Sequence, residues 1–426
     1  ASAYNEPLYF LAHKDLCLYS HLQALVEAGV SSFKIEGRMR EGDYLAFLVG
    51  IYRRALDRIC EDRVDAKASA DDIIKLEENR VRDFSTANLF GRSGMESIGL
   101  RGEREPFFPT RAHLLDRLKA EDYMESAQSP AINANGMEIS VKVANLEMLN
   151  SLYDVGVNRF ILGYEYIRQY QAGWNKKGIA KALDQARGKN LELVIETPRL
   201  VCGNEFIDIE NLFAWMKSHG LTKIVVNDYG SLRLAQDKGL RVCGGPGLNV
   251  SNQMAASFLQ DNGLERITAS LELDFAQLEI IMQSEPNIEL LVHGPLCGMV
   301  SDFCLARAVT GTEENNCPAP CQGDDYALLD EHGQYYHIRS DAYCRNYIYY
   351  PHDLCLFPYL SLLALAGLKY LRLDGQYYEI NQVVQTVSIY RQAIDQLKAG
   401  NWQQKDNYRR LLQLYPGGLT AAPYFR

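Results

Sequence analysis

Ile288-Glu289-Leu290-Leu291-Val292-His293-Gly294-Pro295-Leu296-Cys297 begins as a short, mostly apolar run and ends in a turn that carries a thiol. Residues 288–292 read as a buried strand, because the run is too short for a helix and is bounded by turn residues. Similar runs precede it, and strands are expected over 138–143, 159–162, 191–196, 223–226, 241–244 and 266–270. Helical patterns separate most of them, over 145–155, 178–188, 209–219, 230–238, 252–262 and 274–284. An eighth strand is expected over 369–373, followed by a closing helix. Eight strand–helix alternations in about 260 residues suit an α/β fold of the (β/α)8 TIM-like barrel type, closing near residue 400. An open doubly wound sheet is the alternative.

The eighth strand also belongs to an internal repeat. Asp353-Leu354-Cys355, Ala366-Gly367, Leu371-Arg372-Leu373-Asp374-Gly375 and Ile389-Tyr390-Arg391 match an earlier stretch without a gap, at an offset of 338 residues. The earlier stretch reads Asp15-Leu16-Cys17, Ala28-Gly29, Phe33-Lys34-Ile35-Glu36-Gly37 and Ile51-Tyr52-Arg53. Each copy predicts a helix ending near Ala-Gly, a short strand, a tight glycine exit and a second amphipathic helix.

Residues 1–60 therefore look like the last strand and helix of an upstream barrel, a partial barrel repeat. Residues 61–137 read as a small accessory domain and linker, 138–400 as the barrel that carries the cysteines, and 401–426 as a tail. The expectation is a C-terminal part of a longer tandem protein, or a partner chain that supplies the missing strands.

The 426 residues are 47% apolar and 23% charged, which excludes extended disorder. No apolar run approaches the roughly 20 residues needed to span a bilayer, and the N-terminus lacks the pattern of a secretory signal. A cytoplasmic protein with no membrane association is expected. The net charge of −10 argues against broad non-specific binding to phosphate backbones, while leaving room for a local basic patch.

Ten cysteines are unevenly placed, and six fall within 59 residues. Cys297, Cys304, Cys317 and Cys321 are spaced C-x6-C-x12-C-x3-C, and Cys355 follows after 33 residues. Such a cluster in a cytosolic chain reads as metal ligation before disulfides. Cys297 falls just past strand seven, on the face where barrel active sites are built. Four thiolates there would suit a [4Fe–4S] cluster or an all-cysteine zinc site. Zinc is the weaker fit, since only Cys317 and Cys321 are closely spaced. The plain alternative is a set of buried thiols acting as small apolar side chains.

These residues resemble the peptidase U32 family, which includes RNA-hydroxylation proteins and anaerobic ubiquinone-hydroxylation proteins. The resemblance rests on Ser32-Phe33-Lys34-Ile35-Glu36-Gly37-Arg38-Met39, on His293-Gly294-Pro295-Leu296-Cys297 with the downstream cysteines, on Asp353-Leu354-Cys355 and on Phe84-Ser85-Thr86. It implies a TIM-like barrel, an oxygen-sensitive [4Fe–4S] cluster and hydroxylation without O2, with prephenate as the oxygen source. The substrate class implied is an RNA base or a small aromatic molecule such as a quinone precursor. It assigns Cys297, Cys304, Cys321 and Cys355 as cluster ligands, with Cys317 as an alternative. An older reading of the family is protease or collagenase. One departure matters: the Glu36-Gly37-Arg38 of the first copy becomes Asp374-Gly375-Gln376 in the second, so the barrel with the cysteines loses an arginine suited to clamping an anion.

Polar groups at expected strand ends, Glu196, Asn227, Asp228, Asn249, Glu272 and His293, are candidates to line a pocket. Glu196, Asn249 and His293 are the expected catalytic groups, with His293 favoured for proton transfer. No His-Glu-x-x-His helix and no Gly-x-Ser-x-Gly elbow occurs. A Cys297–His293 nucleophile pair is conceivable, but metal ligation of that thiolate would exclude it. A cluster-bearing scaffold without catalysis is the rival reading from another class.

Overall fold

The computed structural model describes residues 8–38, 40–61, 68–91, 94–102, 115–122, 136–165, 173–189, 191–310, 317–323, 325–400 and 402–425. Met39 and most of the expected accessory domain between 103 and 135 lie outside the described residues. The chain divides into two units, one of residues 1–113 and 303–320 and one of residues 114–302 and 321–426.

In the first unit, β1 (Asp15–Leu16) pairs in parallel with β2 (Phe84–Ser85). Helices α1 (Leu22–Glu27), α2 (Gly42–Glu61) and α3 (Ala70–Asn79) pack through Tyr19, Leu22, Ile51, Ala55, Ile59 and Leu76. The Tyr19 hydroxyl donates to Asp72 at 2.7 Å, and Arg58 reaches the same carboxylate at 3.0 Å. Residues 33–37, expected as a strand, are not one. Their counterpart in the second copy is held by ladders on both sides, whereas no described strand flanks 33–37 to supply ladder bonds.

The second unit is the closed barrel. Its strands are β3 (Glu138–Val143), β4 (Arg159–Gly163), β5 (Glu192–Glu196), β6 (Lys223–Val226), β7 (Arg241–Gly244), β8 (Leu264–Thr268) and β9 (Ile288–Gly294). Helices α4 (Leu146–Ser151), α5 (Lys176–Ala186), α6 (Glu205–Ser218), α7 (Tyr229–Asp237), α8 (Gln253–Asp261) and α9 (Phe275–Ser284) lie between them. Five of these helices are capped by Asn or Asp: Asn145, Asn175, Asp228, Asn252 and Asp274 accept the backbone N–H of the third residue on, whereas Asn204 before α6 makes no capping bond.

After β9 the chain forms β10 (Cys297–Ser301); α10 (Leu305–Thr310) belongs to the first unit. Strands β11 (Tyr326–Leu329), β12 (Tyr335–Ser340) and β13 (Asn346–Tyr349) make an antiparallel sheet with β10, in the order β10-β13-β12-β11. β14 (Asp353–Cys355) then pairs antiparallel with β9, and α11 (Leu360–Leu365) leads to β15 (Tyr370–Asp374). β15 pairs in parallel with both β9 and β3, which closes eight parallel strands and excludes the open sheet. Helix α12 (Ile380–Lys398) covers the seam. The expected tail is part of the same body: α13 (Lys405–Leu414) buries Tyr408 and Leu411, and β16 (Leu419–Thr420) pairs with β14.

The strand alternation sorts side chains into two environments. Ile139, Val141, Phe160, Leu162, Ile195, Ile224, Val226, Leu371 and Leu373 join the core between strands and helices. Inside the barrel, Ile161, Val194, Val225 and Cys243 form a separate apolar plug. Buried ionic groups stand toward either end of the strands: Arg159 and Glu289 near the start, Lys142, Glu196 and Arg372 near the finish.

Candidate active site at the barrel mouth

The C-terminal ends of the strands enclose a pocket of about 50 Å³ of free internal space. Its charged lining consists of Lys142, Glu165, Glu196, Arg199, Arg372 and Asp374, with Asn227, Cys297, Tyr347, Tyr349 and Gln376 beside them. Arg372 of β15 grips Glu196 of β5 through two bonds, 2.8 and 3.0 Å, and Asp374 through two more, 2.7 and 3.3 Å. The Lys142 ammonium sits 2.9 Å from both Glu165 and Glu196. Gly163 makes this possible, since a Cβ there would lie 2.7 Å from Lys142 Cε.

Burial opposes ionisation of Glu196, but Arg372 and Lys142 outweigh it and hold its pKa well below the usual carboxylate range. Burial likewise opposes the charge on Lys142, and Glu165 and Glu196 override it, so Lys142 stays cationic. This is a preformed ionic lattice whose charges are fixed before any ligand arrives.

Asn227 ties the neighbouring loop down: its amide donates to Thr197 O at 2.9 Å, and its Oδ1 accepts Gly247 N–H at 3.0 Å. A Cβ on Gly245 or Gly247 would collide with Asn227 at 2.3 or 2.4 Å, which accounts for the glycine-rich stretch 244–247. The antiparallel sheet contributes Tyr347 and Tyr349, and Tyr349 O–H donates to Tyr377 at 3.2 Å. The Arg339 guanidinium lies over the Tyr349 and Tyr377 rings at 4.6 and 4.1 Å.

The model of peptidase family U32 matches residues 2–99 and 140–426, nearly the whole chain. The chain belongs to peptidase family U32. A Methanocaldococcus jannaschii protein named as an uncharacterized protease is 24% identical over 303 residues, covering 68% of this chain and 73% of that protein. The Escherichia coli 23S rRNA 5-hydroxycytidine C2501 synthase is 24% identical over 271 residues, 60% of this chain but 40% of that enzyme. A Bacillus subtilis tRNA hydroxylation protein is 33% identical over 88 residues, 21% of each chain. This U32 chain thus spans well under two thirds of the hydroxylation proteins it matches.

The structure distributes the expected site residues of this U32 barrel unevenly. Glu196 lines the pocket, but both of its oxygens are occupied by Arg372 and Lys142. His293 does not line it. A register shift in the β9–β15 pairing turns the ring outward into the strand–helix layer, 4.6 Å from the Tyr415 ring and 5.7 Å from the Tyr390 ring. Burial there pushes its pKa down to about 3, so it is neutral, and its Nε2 has no partner. Asn249 is exposed, in the left-handed region at φ 51°, and its side chain accepts from Ser270. Asp228 is the N-cap of α7 and Glu272 is exposed.

Of the cysteines, Cys297 lines the pocket, and burial pushes its thiol up to about 11. Cys355 is fully buried in the core outside the barrel, 4.0 Å from the Tyr390 hydroxyl, with its thiol pushed up to about 12 by burial. Cys321 is buried in the barrel unit, whereas Cys304 and Cys317 fall in the first unit. Among the described residues, no group of three or more Cys, His, Asp or Glu side chains is arranged to hold a metal.

Lys142, Arg372 and Asp374 escaped the sequence reading, although a signal existed. Glu-Ile-Ser-Val-Lys-Val and Tyr-Leu-Arg-Leu-Asp each place a charge on the strand face opposite their apolar residues, which in a barrel is the interior. No described helix is long and apolar enough to cross a membrane.

Proposed function

We propose that this U32 barrel serves in RNA hydroxylation, with the reacting group of the substrate entering the pocket at the C-terminal mouth. The observation that carries the reading is the convergence of Lys142, Glu196, Arg372 and Asp374 in one buried lattice at the end of the barrel where substrates bind. The names of the E. coli and B. subtilis relatives supply the substrate class. Hydroxylation replaces a base C–H by C–OH, a two-electron oxidation. It balances if an organic hydroxyl donor gives up its oxygen and is reduced by two electrons; the donor implied by the resemblance is prephenate. In this reading the lattice orients the acceptor and resists reorganisation, while Tyr347 and Tyr349 wall the pocket.

The [4Fe–4S] cluster is a separate proposal that rests on the spacing of Cys297, Cys304, Cys321 and Cys355, and no step is routed through it. Anaerobic purification followed by iron and sulfide assay tests it. Near four irons and four sulfides per chain are expected, falling in Cys321→Ala; zinc alone, or no metal, overturns it.

The protease reading gains nothing from the pocket. Its thiol is held protonated, and among the described residues no histidine lines it to act as base. The scaffold reading is favoured by one observation, Gln376 where the first copy carries Arg38. Nucleoside mass spectrometry of RNA from cells that carry only Arg372→Met decides between hydroxylase and scaffold. Loss of the hydroxylated nucleoside with the protein still folded supports the enzyme, and unchanged product supports the scaffold.

A further inference from the structure

Two pocket residues stand apart from the ionic lattice. Arg199, three residues beyond β5, is half-buried and lines the pocket near Cys297, yet makes no hydrogen bond or ion pair with the described residues. Gln376, two residues beyond β15, is 8% exposed and lines the same pocket, and its Oε1 is buried without a hydrogen-bond partner. An unpartnered buried acceptor costs about 1–3 kcal/mol, so it is retained at that expense unless a ligand or water supplies a donor. The neighbouring cations offer no alternative, since Lys142 and Arg372 are committed to Glu165, Glu196 and Asp374.

We propose that Arg199 and Gln376 form the binding site for a small oxyanion group that also carries a hydrogen-bond donor, such as a protonated phosphate or a hydroxy-carboxylate. Arg199 supplies the charge and the forked donors. Gln376 Oε1 accepts the O–H and so selects protonated or hydroxylated anions over those that only accept. The free space of about 50 Å³ admits a head group of this size. Where the first copy carries Arg38 this barrel carries Gln376, and the uncommitted cation lining the pocket is Arg199 of the β5 loop. The proposal rests on the mouth being the substrate pocket and assigns the residues that position an anionic substrate there.

Inorganic phosphate and sulfate separate the two roles, because phosphate at pH 6 carries an O–H and sulfate does not. Isothermal titration calorimetry on the full chain at fixed ionic strength is expected to show phosphate binding at least about tenfold tighter than sulfate. Arg199→Gln is expected to weaken phosphate about tenfold or more with the melting temperature held. Gln376→Leu is expected to abolish the preference over sulfate, and Gln376→Arg to raise sulfate affinity. Equal binding of the two anions, or phosphate affinity unchanged in Arg199→Gln, overturns the proposal. Because the readout is binding and not product, a failure here is distinct from a failure of the hydroxylation reading: a selective site with no hydroxylated product would leave this inference standing and sink that one.

Discussion

Replacing Glu196 by Gln tests whether the ionic lattice is held together as the distances imply. Glu196 is the shared carboxylate: Arg372 donates to it at 2.8 and 3.0 Å, and Lys142 lies 2.9 Å away. Breaking a buried ion pair by removing one partner typically costs about 3–5 kcal/mol, because a charge is left uncompensated. Here each cation keeps one carboxylate, Asp374 for Arg372 and Glu165 for Lys142, so the low end applies, about 3 kcal/mol. With a urea dependence of about 3 kcal/mol per molar, the midpoint should fall by about 1 M. All three tryptophans, Trp174, Trp215 and Trp402, belong to the barrel unit, so their fluorescence reads its unfolding. The effect carries a pH signature. The folded-state pKa of Glu196 is depressed, so its contribution is complete above the unfolded value of about 4.3 and is lost as pH falls below it. The gap between wild type and Glu196→Gln should therefore be full at pH 7 and shrink steadily below pH 4.3. A gap under about 1 kcal/mol at pH 7, or one that stays constant down to pH 3.5, would refute the reasoning.

Gly163→Ala should act on the same lattice without touching a charge: its Cβ would meet Lys142 Cε at 2.7 Å, and displacing Lys142 should cost about 1–3 kcal/mol in urea unfolding and reduce hydroxylated nucleoside. His293→Phe should leave both stability, within about 1 kcal/mol, and product formation unchanged, because the ring packs on Tyr390 and Tyr415, its Nε2 has no partner, and only the long 3.4 Å contact of Nδ1 with the Tyr390 hydroxyl is lost; loss of product in a folded protein would return His293 to catalysis. Asp341, buried in the turn between β12 and β13, has its pKa pushed up to about 6 by burial. The folded state then holds that proton more tightly than the unfolded chain, so stability falls as pH rises from about 4 to 6, by about 2–3 kcal/mol. Asp341→Asn should flatten that slope in urea unfolding between pH 4 and 7, and an unchanged slope would assign it elsewhere.

The barrel was legible because each of its segments declares itself locally. Residues 138–143, 223–226 and 241–244 are strands with the bounds expected from the run of β-branched residues and flanking turns, and the helices expected from 145, 252 and 274 begin at the caps Asn145, Asn252 and Asp274. What could not be read was any property set by a neighbour in space. The repeat predicts strands at both 33–37 and 369–373, yet only the second lies between two ladder partners. The direction of His293 is set by a register shift between β9 and β15, and a single strand carries no mark of where its partner slips. Glu196 was visible as a strand-end carboxylate, but its commitment to Arg372 depends on a residue 176 positions away.

The two copies also bear on Cys355. In the barrel unit its sulfur lies 4.0 Å from the hydroxyl of Tyr390, 35 residues on; in the first unit Cys17 lies 3.6 Å from Tyr52, again 35 residues on. The contact is the same in both copies. A thiol tucked against the tyrosine of the following helix is thus a packing feature that each repeat makes for itself. Ligation by Cys355 would have to exchange that contact for a metal bond, and to do so from a fully buried strand whose backbone is already paired with His293. Cys297, by contrast, already faces the pocket. If a cluster forms, Cys297 needs only a deprotonated sulfur, whereas Cys355 needs both deprotonation and a turn of its side chain away from Tyr390. In that case ligation by Cys355 and the packing of the barrel would compete at the tyrosine contact.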